Sequence, residues 1–379
     1  MSIHLCMAII QICKFTCSYE LTTMALSAFF FNFFEGFVMN ANLSKAAVVI
    51  PTHMNALFID SAGGPFVTRQ VAIPQPAAGE VLVKIAASGI NPLDTKIRAG
   101  KGGHARHPFP AVLGMDLAGT VVATGSAVTR LRVGDEVFGM AGGVGGVQGS
   151  LAEYAAVDAR LLALKPASLS MREAAALPLI FITAWEGLVD RADVSREDKV
   201  LIHGGVGGIG HIAVQVARSL GAKVYATAST ADLDTVAALG ATPIDRAQPV
   251  EDYVAAHTDG EGFDVVYDTV GGAVLDASFA AARVYRGHVV SALGWGSHAL
   301  APLSFRGATY SGVFTLLPLL TGKGREHHGE ILEQAAFLST QGVLKVRLDP
   351  QRFGLADIET AHALVAEGRP KGKVVLELG

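Results

Sequence analysis

The sequence predicts an α/β chain in which a parallel sheet with covering helices is inserted within a strand-rich domain. Three observations carry this. Residues 199–229, KVLIHGGVGGIGHIAVQVARSLGAKVYATAS, pass from an apolar run through a glycine turn and an amphipathic stretch to a second β-rich run. Ahead of them, short apolar runs are broken by Gly and Pro, the pattern of a separate strand-rich domain. Behind them, strand and helix patterns alternate, and the last short strands are expected to rejoin the front domain. The boundaries expected are an atypical apolar extension at 1–43, the strand-rich domain at 44–166 and 319–379, and the inserted domain at 167–318.

Composition narrows the class. A chain of 379 residues with 50% hydrophobic and 17% charged side chains can bury two or three cores. Its net charge of −4 gives no reason to expect nucleic acid or an anionic membrane as partner of the main body. All three cysteines, Cys6, Cys13 and Cys17, precede Ser18. A disulfide framework and a Cys-ligated zinc site are therefore excluded from the body.

The extension holds every cysteine and seven of the eighteen phenylalanines. It lacks the basic start of a signal peptide, and its apolar run at 24–39 is shorter than the roughly 20 residues of a membrane span. Three readings stand: a stretch upstream of the natural start, a membrane or organelle address, or a self-association helix. The first is preferred because Met39 opens a conventional start. The main body is expected in the cytoplasm.

In the front domain, strands are expected at 48–50, 81–87, 119–124, 136–140 and 154–157, and Asn91-Pro92-Leu93-Asp94 is a turn that starts a helix. Gly142-Gly143-Val144-Gly145-Gly146 has no amphipathic helix after it. It is therefore expected as a mobile loop at a cleft mouth and not as a phosphate cradle. Ser170, with Glu173 three residues on, reads as a capping box.

Gly205-Val206-Gly207-Gly208-Ile209-Gly210 spells G-x-G-x-x-G between a strand at 199–203 and a helix ending at Gly221. In that setting the glycines let the backbone approach a pyrophosphate, whose charge sits on the free amides at the helix start. A dinucleotide site follows. An NAD site places Asp or Glu at the end of the second strand. Here stand Ala228, Ser229 and Thr230, with no carboxylate to repel a 2′-phosphate. Ser229 can donate to that phosphate, and Arg246 supplies charge or is a solvated loop residue. NADPH is favoured. Later strands are expected at 263–269, 288–293 and 309–314. Ligands bind beyond the carboxyl ends of such strands, which brings in Thr269, Val270, Leu293 and Gly294. Trp295 has two readings, a cleft aromatic and a loop-packing one. A helix at 331–338, a strand at 344–348, a helix at 355–367 and a strand at 374–378 follow. The histidines form no metal constellation and read as structural or solvated.

Several short motifs, taken in order, carry a resemblance: Ser88-Gly89-Ile90-Asn91-Pro92-Leu93-Asp94, Leu113-Gly114-Met115-Asp116, Val133-Gly134-Asp135-Glu136, Thr183-Ala184-Trp185-Glu186, the glycine turn, Asp268-Thr269-Val270-Gly271-Gly272 and Lys371-Gly372-Lys373-Val374-Val375. From about residue 46 onward the chain resembles the medium-chain dehydrogenase/reductase superfamily, in its zinc-free quinone oxidoreductase branch. The resemblance implies a Rossmann cofactor domain inserted in a GroES-like catalytic domain, and a homodimer formed across the last strand of the sheet. Where the zinc alcohol dehydrogenases carry a Cys and a His ligand, this chain has Asn91 and Met115, neither a normal zinc ligand there. No zinc and no other metal is expected. The resemblance also places Asn91 and Thr183 near the nicotinamide and Tyr154 in the pocket. Phe314 and Lys373 complete the expected cofactor contacts. It names no catalytic acid, since Lys96 stands where a Tyr is common. The expected activity is metal-free hydride transfer from NADPH to an electrophilic small molecule, a quinone or an α,β-unsaturated carbonyl compound. The alternatives are an enoyl-thioester or alkenal reductase on the same scaffold, and a non-catalytic NADPH-binding protein.

Overall fold

Alternating burial along His53–Ile59 marks the first strand, β1, of the computed structural model, which describes residues 50–378. The expectations for the extension, and for residues 48 and 49, fall outside the described residues. Ile50 lies in no strand, so the first strand begins later than expected. β1 pairs antiparallel with β2 (Val67–Ala72) and with β4 (Ala111–Val112), a small sheet whose strands were not anticipated.

The front sheet is built on β3 (Glu80–Gly89), β5 (Asp116–Thr124), β6 (Glu136–Met140), β7 (Tyr154–Asp158) and β8 (Leu162–Leu164). Its order is β15-β16-β3-β5-β6-β8, with β15 at Phe353–Gly354 and β16 at Val375–Glu377. Along one edge of β3 two strands share the pairing. β7 takes residues 80–84, and β16 takes 87–89, with Val375 opposite Gly89. The C-terminal strand therefore returns to the front sheet.

The second sheet runs β9 (Lys199–His203), β10 (Lys223–Ala228), β11 (Thr242–Asp245), β12 (Val265–Asp268), β13 (His288–Ser291) and β14 (Thr309–Gly312). All its pairs are parallel, in the spatial order β11-β10-β9-β12-β13-β14. The order reverses direction between β9 and β12, the switch point where a ligand crevice opens in such sheets.

Helix α1 (Pro92–Arg98) starts from an Asn91 cap, with the Asn91 amide donating to Asp94 Oδ2 at 2.8 Å. Helix α2 (Met171–Ala176) has the expected capping box, Ser170 with Glu173. Helix α3 (Pro178–Trp185) runs straight into a π-helical turn, Glu186–Arg191. Helix α4 (Gly210–Ser219) follows the glycine turn and has eight buried residues, packed between the parallel sheet and α3. A long helix, α5 (Arg325–Thr340), and α6 (Ile358–Ala366) come after β14.

Two expectations fail here. Residues 344–348 are not a strand; Leu348 makes one bridge to Lys373. The backbone of this segment is satisfied by α4 instead of by a ladder. Lys345 exchanges bonds of 2.8 and 3.0 Å with the Gln215 amide, and the Arg347 amide reaches His211 Nε2. The 142–146 segment is not a loose loop. Gly142, Gly143 and Val144 are buried, and a Cβ on Gly143 (φ +72°) would stand 2.7 Å from the Gly114 carbonyl oxygen.

Candidate functional site

A cavity of about 800 Å³ opens at the switch point, large enough for a dinucleotide and a small acceptor. Its walls come from both sheets: the carboxyl ends of β9, β10, β12 and β13, the start of α1, one face of α3, and Lys373 just ahead of β16.

The glycine turn divides its labour. Gly204, with φ +76°, makes the turn out of β9. A Cβ on Gly205 would stand 2.6 Å from the Ala226 Cβ, and one on Gly210 would overlap the Gly204 carbonyl. These two glycines serve packing, and neither lines the cavity. Val206, Gly207, Gly208 and Ile209 do line it. A Cβ on Gly208 would meet nothing nearer than 3.7 Å. The amides of Gly208 and Ile209 have no partner among the described residues and stand at the start of α4, where an anion is favoured.

At the end of β10, Ser229 and Arg246 both border the cavity. Their surroundings differ from expectation. Ser229 Oγ donates to Asp232 Oδ2 at 2.6 Å, so a carboxylate does stand in this corner, three residues past the expected position. Asp232 also lines the cavity. Arg246 is exposed and forms no ion pair among the described residues.

The floor is a buried polar cluster. Lys373 Nζ donates to Asn91 Oδ1 and lies 3.3 Å from Asp116 Oδ2. Asn91 Nδ2 donates to the same Asp116 oxygen at 2.9 Å, and the Leu179 amide donates to Asp116 Oδ1 at 2.9 Å. Asp94 stands behind, its Oδ1 buried without a partner. Burial pushes Asp94 up to about 7; the Asn91 amide opposes this, and the Asp116 charge adds to it. Burial raises Asp116 as well, against the pull of Lys373. Asn91 and Lys373 reach the cavity; Asp116 and Asp94 hold them from behind.

Over the floor, Thr269, Val270, Leu293 and Phe314 line the cavity as expected, and so does Thr183. Trp295 combines its two readings. It borders the cavity, with ring contacts of 4.8 Å to His104 and 6.2 Å to Phe314. Gly294 does not line the cavity, because it packs against the Tyr310 hydroxyl. Tyr154 does not line it either. It is buried in β7 opposite Lys84, away from the cleft.

Sequence reasoning missed Asp232, Lys96, His104 and His203, all on the cavity wall. His203 closes β9 with Nδ1 3.2 Å from Thr227 Oγ1, and burial lowers its pKa to about 4. The signal for His203 was present, since a polar residue ending an apolar strand before the glycine turn points at the crevice. Among the described residues there is no group of three or more metal-ligating side chains, and no helix is long and apolar enough to cross a membrane.

Comparison with known proteins adds family context. Residues 77–167 match the model of the alcohol dehydrogenase GroES-like domain, and residues 239–376 that of the zinc-binding dehydrogenases. A 2-methylene-furan-3-one reductase of Solanum lycopersicum is 36% identical over 88% of this chain and 81% of its own. A chloroplastic NADPH-dependent alkenal/one oxidoreductase of Arabidopsis thaliana is 34% identical over 86% and 80%. Among solved structures, an alcohol dehydrogenase superfamily protein of Novosphingobium aromaticivorans is 59% identical, with a TM-score of 0.84 over 86% of this chain and 100% of its own. The CurK enoyl reductase (27% identical, TM-score 0.76) and a quinone oxidoreductase of Coxiella burnetii (29%, 0.73) cover 86% of this chain and 99% and 100% of theirs.

Proposed function

This chain belongs to the medium-chain dehydrogenase/reductase superfamily, and from that premise we propose that it reduces α,β-unsaturated carbonyl compounds and quinones with NADPH and without a metal. It is an oxidoreductase.

The observation that carries the reading is one cavity with two chemistries in it. At one end lie the open glycine turn and its unpartnered amides; at the floor lies an ammonium pinned by Asn91 and Asp116. The residues fit NADPH: Gly207 and Gly208 leave room for a pyrophosphate against the α4 start, and Arg246 offers charge to a 2′-phosphate. NADPH, when bound, supplies the hydride. The protein orients the acceptor's electron-poor carbon toward it and stabilises the negative charge that develops on the acceptor oxygen. Lys373 is the donor we assign to that oxygen, worth about 3 kcal/mol in comparable preorganised sites. Asn91 and Asp116 are positioning residues that hold its ammonium in place.

The donor set supports metal-free chemistry. The Asn91 amide is spent on Asp116 and Lys373, and Met115 is buried in the hydrophobic core. An ammonium among them repels a cation. Zinc content of the purified protein tests this directly. A cytoplasmic setting and a homodimer across the β14 edge belong to the same proposal, to be checked by imaging of the tagged chain and by solution mass.

An acceptor panel tests the activity: simple quinones, alkenals, cyclic enones and an enoyl thioester, each with NADPH and with NADH. Turnover of enones or quinones with NADPH is expected. Silence across the panel refutes the proposal. An enoyl thioester far ahead of the free enones favours the second reading, an enoyl-thioester reductase, for which the likeness to the CurK enoyl reductase speaks.

A further inference from the structure

At the cavity wall, four polar side chains stand in file. Thr183 and Thr315 both line the cavity, and their hydroxyls are 3.1 Å apart, with Thr183 Oγ1 donating to the Leu179 carbonyl at 2.7 Å. Thr315 Oγ1 donates to Glu186 Oε2 at 2.8 Å. On the far side, His328 Nε2 lies 3.4 Å from Glu186 Oε1. His328 is 1% exposed, and neither of its ring nitrogens has a hydrogen-bond partner among the described residues. A buried imidazole with no hydrogen-bond partner costs stability. Glu186 meanwhile keeps 16% of its side chain in contact with solvent.

The backbone is shaped to hold this file. Glu186 opens the π-helical turn that follows α3, an irregularity that recurs at functional sites. Tyr267 donates to the Thr183 carbonyl at 2.6 Å and fixes the helix end just ahead of that turn. A Cβ on Gly187 would press on the Tyr267 ring, so the close approach needs glycine there. On the other side α5 packs against α3 and carries His328 inward. Its neighbour His327 stays at the surface with Asp190, 2.7 Å away, and Glu330.

Resting on the reductase reading, we infer that Glu186, Thr315 and Thr183 are a proton inlet from solvent to the cavity, with the His328 ring held against the Glu186 carboxylate. Each reduction of an enone consumes one hydride and one proton. With cofactor and acceptor in the cavity, water is excluded from it. The reduced acceptor anion takes a proton from Thr183 Oγ1, which turns from the Leu179 carbonyl and takes one in turn from Thr315 across the 3.1 Å between them. Thr315 recovers that proton from the Glu186 carboxyl as its own hydrogen bond reverses direction. The Glu186 carboxylate then recovers a proton from solvent. One proton enters per turnover, and no further redox partner is needed.

The test uses the full chain, the Glu186→Gln and His328→Gln variants, NADPH and a cyclic enone. Glu186→Gln nearly preserves volume while removing the proton carrier, and His328→Gln removes the ring that stands against it. In the cofactor-free protein, the ring-nitrogen NMR signals of His328 are expected to shift when Glu186 becomes Gln. NADPH affinity is expected to remain within a few-fold of wild type. Steady-state turnover of Glu186→Gln should fall by about tenfold or more. Its solvent deuterium isotope effect should rise, and the primary effect with deuterated NADPH should shrink toward one, because protonation becomes slow. Glu186→Asp, which keeps a carboxylate, should recover part of the rate. Wild-type isotope effects in a Glu186→Gln variant that binds NADPH overturn the inlet. Should Glu186→Gln fail to bind NADPH, the same two isotope effects in His328→Gln decide the matter. A wild type that reduces no acceptor overturns the parent reading instead, so the two failures are told apart.

Discussion

The substitution Asp94→Asn should make the protein more stable at neutral pH and flatten its dependence on pH. Asp94 is fully buried beside Asp116, with the Lys373 ammonium acting on it, and its pKa is pushed from 3.8 to about 7. Above that value Asp94 adds its own negative charge to the buried cluster. Between the unfolded and folded pKa values the folded protein keeps a proton that the unfolded chain has released. Stability therefore falls as pH rises from about 4 to about 7. Integrating between about pH 5.5 and about pH 8, a single group of this kind removes about 2 kcal/mol. The side-chain oxygen of the Asp94→Asn variant would still accept from the Asn91 amide, as Asp94 Oδ2 does now, so the α1 cap survives. Urea unfolding of both proteins at the two pH values reads the difference. The wild type should lose about 2 kcal/mol more than the variant on going from the lower to the higher pH. Parallel pH curves for the two proteins would refute the assignment of a raised pKa to Asp94.

Other expectations follow from the cavity. Lys373→Met should lower kcat with enones by about two to three orders of magnitude while NADPH affinity changes little, which stopped-flow and fluorescence titration separate. Asp232→Asn should tighten NADPH and leave NADH unchanged; Arg246→Ala should weaken NADPH selectively, by about tenfold for a charge-assisted contact, in the same titration. Gly208→Ala should keep the melting temperature but lose cofactor affinity, whereas Gly210→Ala should lose both, because its Cβ overlaps the Gly204 carbonyl. Calorimetry with and without NADPH distinguishes them.

The parallel sheet was the most legible part of the chain. The strands Lys199–His203 and Lys223–Ala228 fall where the apolar runs place them, since buried parallel strands are written as continuous Val, Ile and Ala. His53–Ile59 escaped notice because its alternation lasts only from His53 to Ala56 before running into the continuous apolar Leu57-Phe58-Ile59. The segment at 344–348 misled for the opposite reason: it is apolar enough for a strand, but α4 side chains take its backbone bonds. In the site, the glycine turn and Asn91 were legible as short motifs. Asp232 was not, because the expected position for an acidic residue is the strand end, and a turn carries the carboxylate back from further along. Tyr154 misled because position in a motif does not say which face of β7 it occupies. The pairing of Lys373 with Asp116 joins residues 257 positions apart, and no local pattern encodes it.

The shared edge of β3 also has a meaning in time. Gly89 meets Val375 only after about 290 further residues have been made. At about 5–20 residues per second, a ribosome needs roughly 15–60 s to cover that distance. Through that interval the parallel sheet can fold and take up its nucleotide while the front sheet waits with an open edge. The same late strand brings Lys373 to the floor, so the donor proposed for the acceptor oxygen joins the site only after every strand of the parallel sheet has been made.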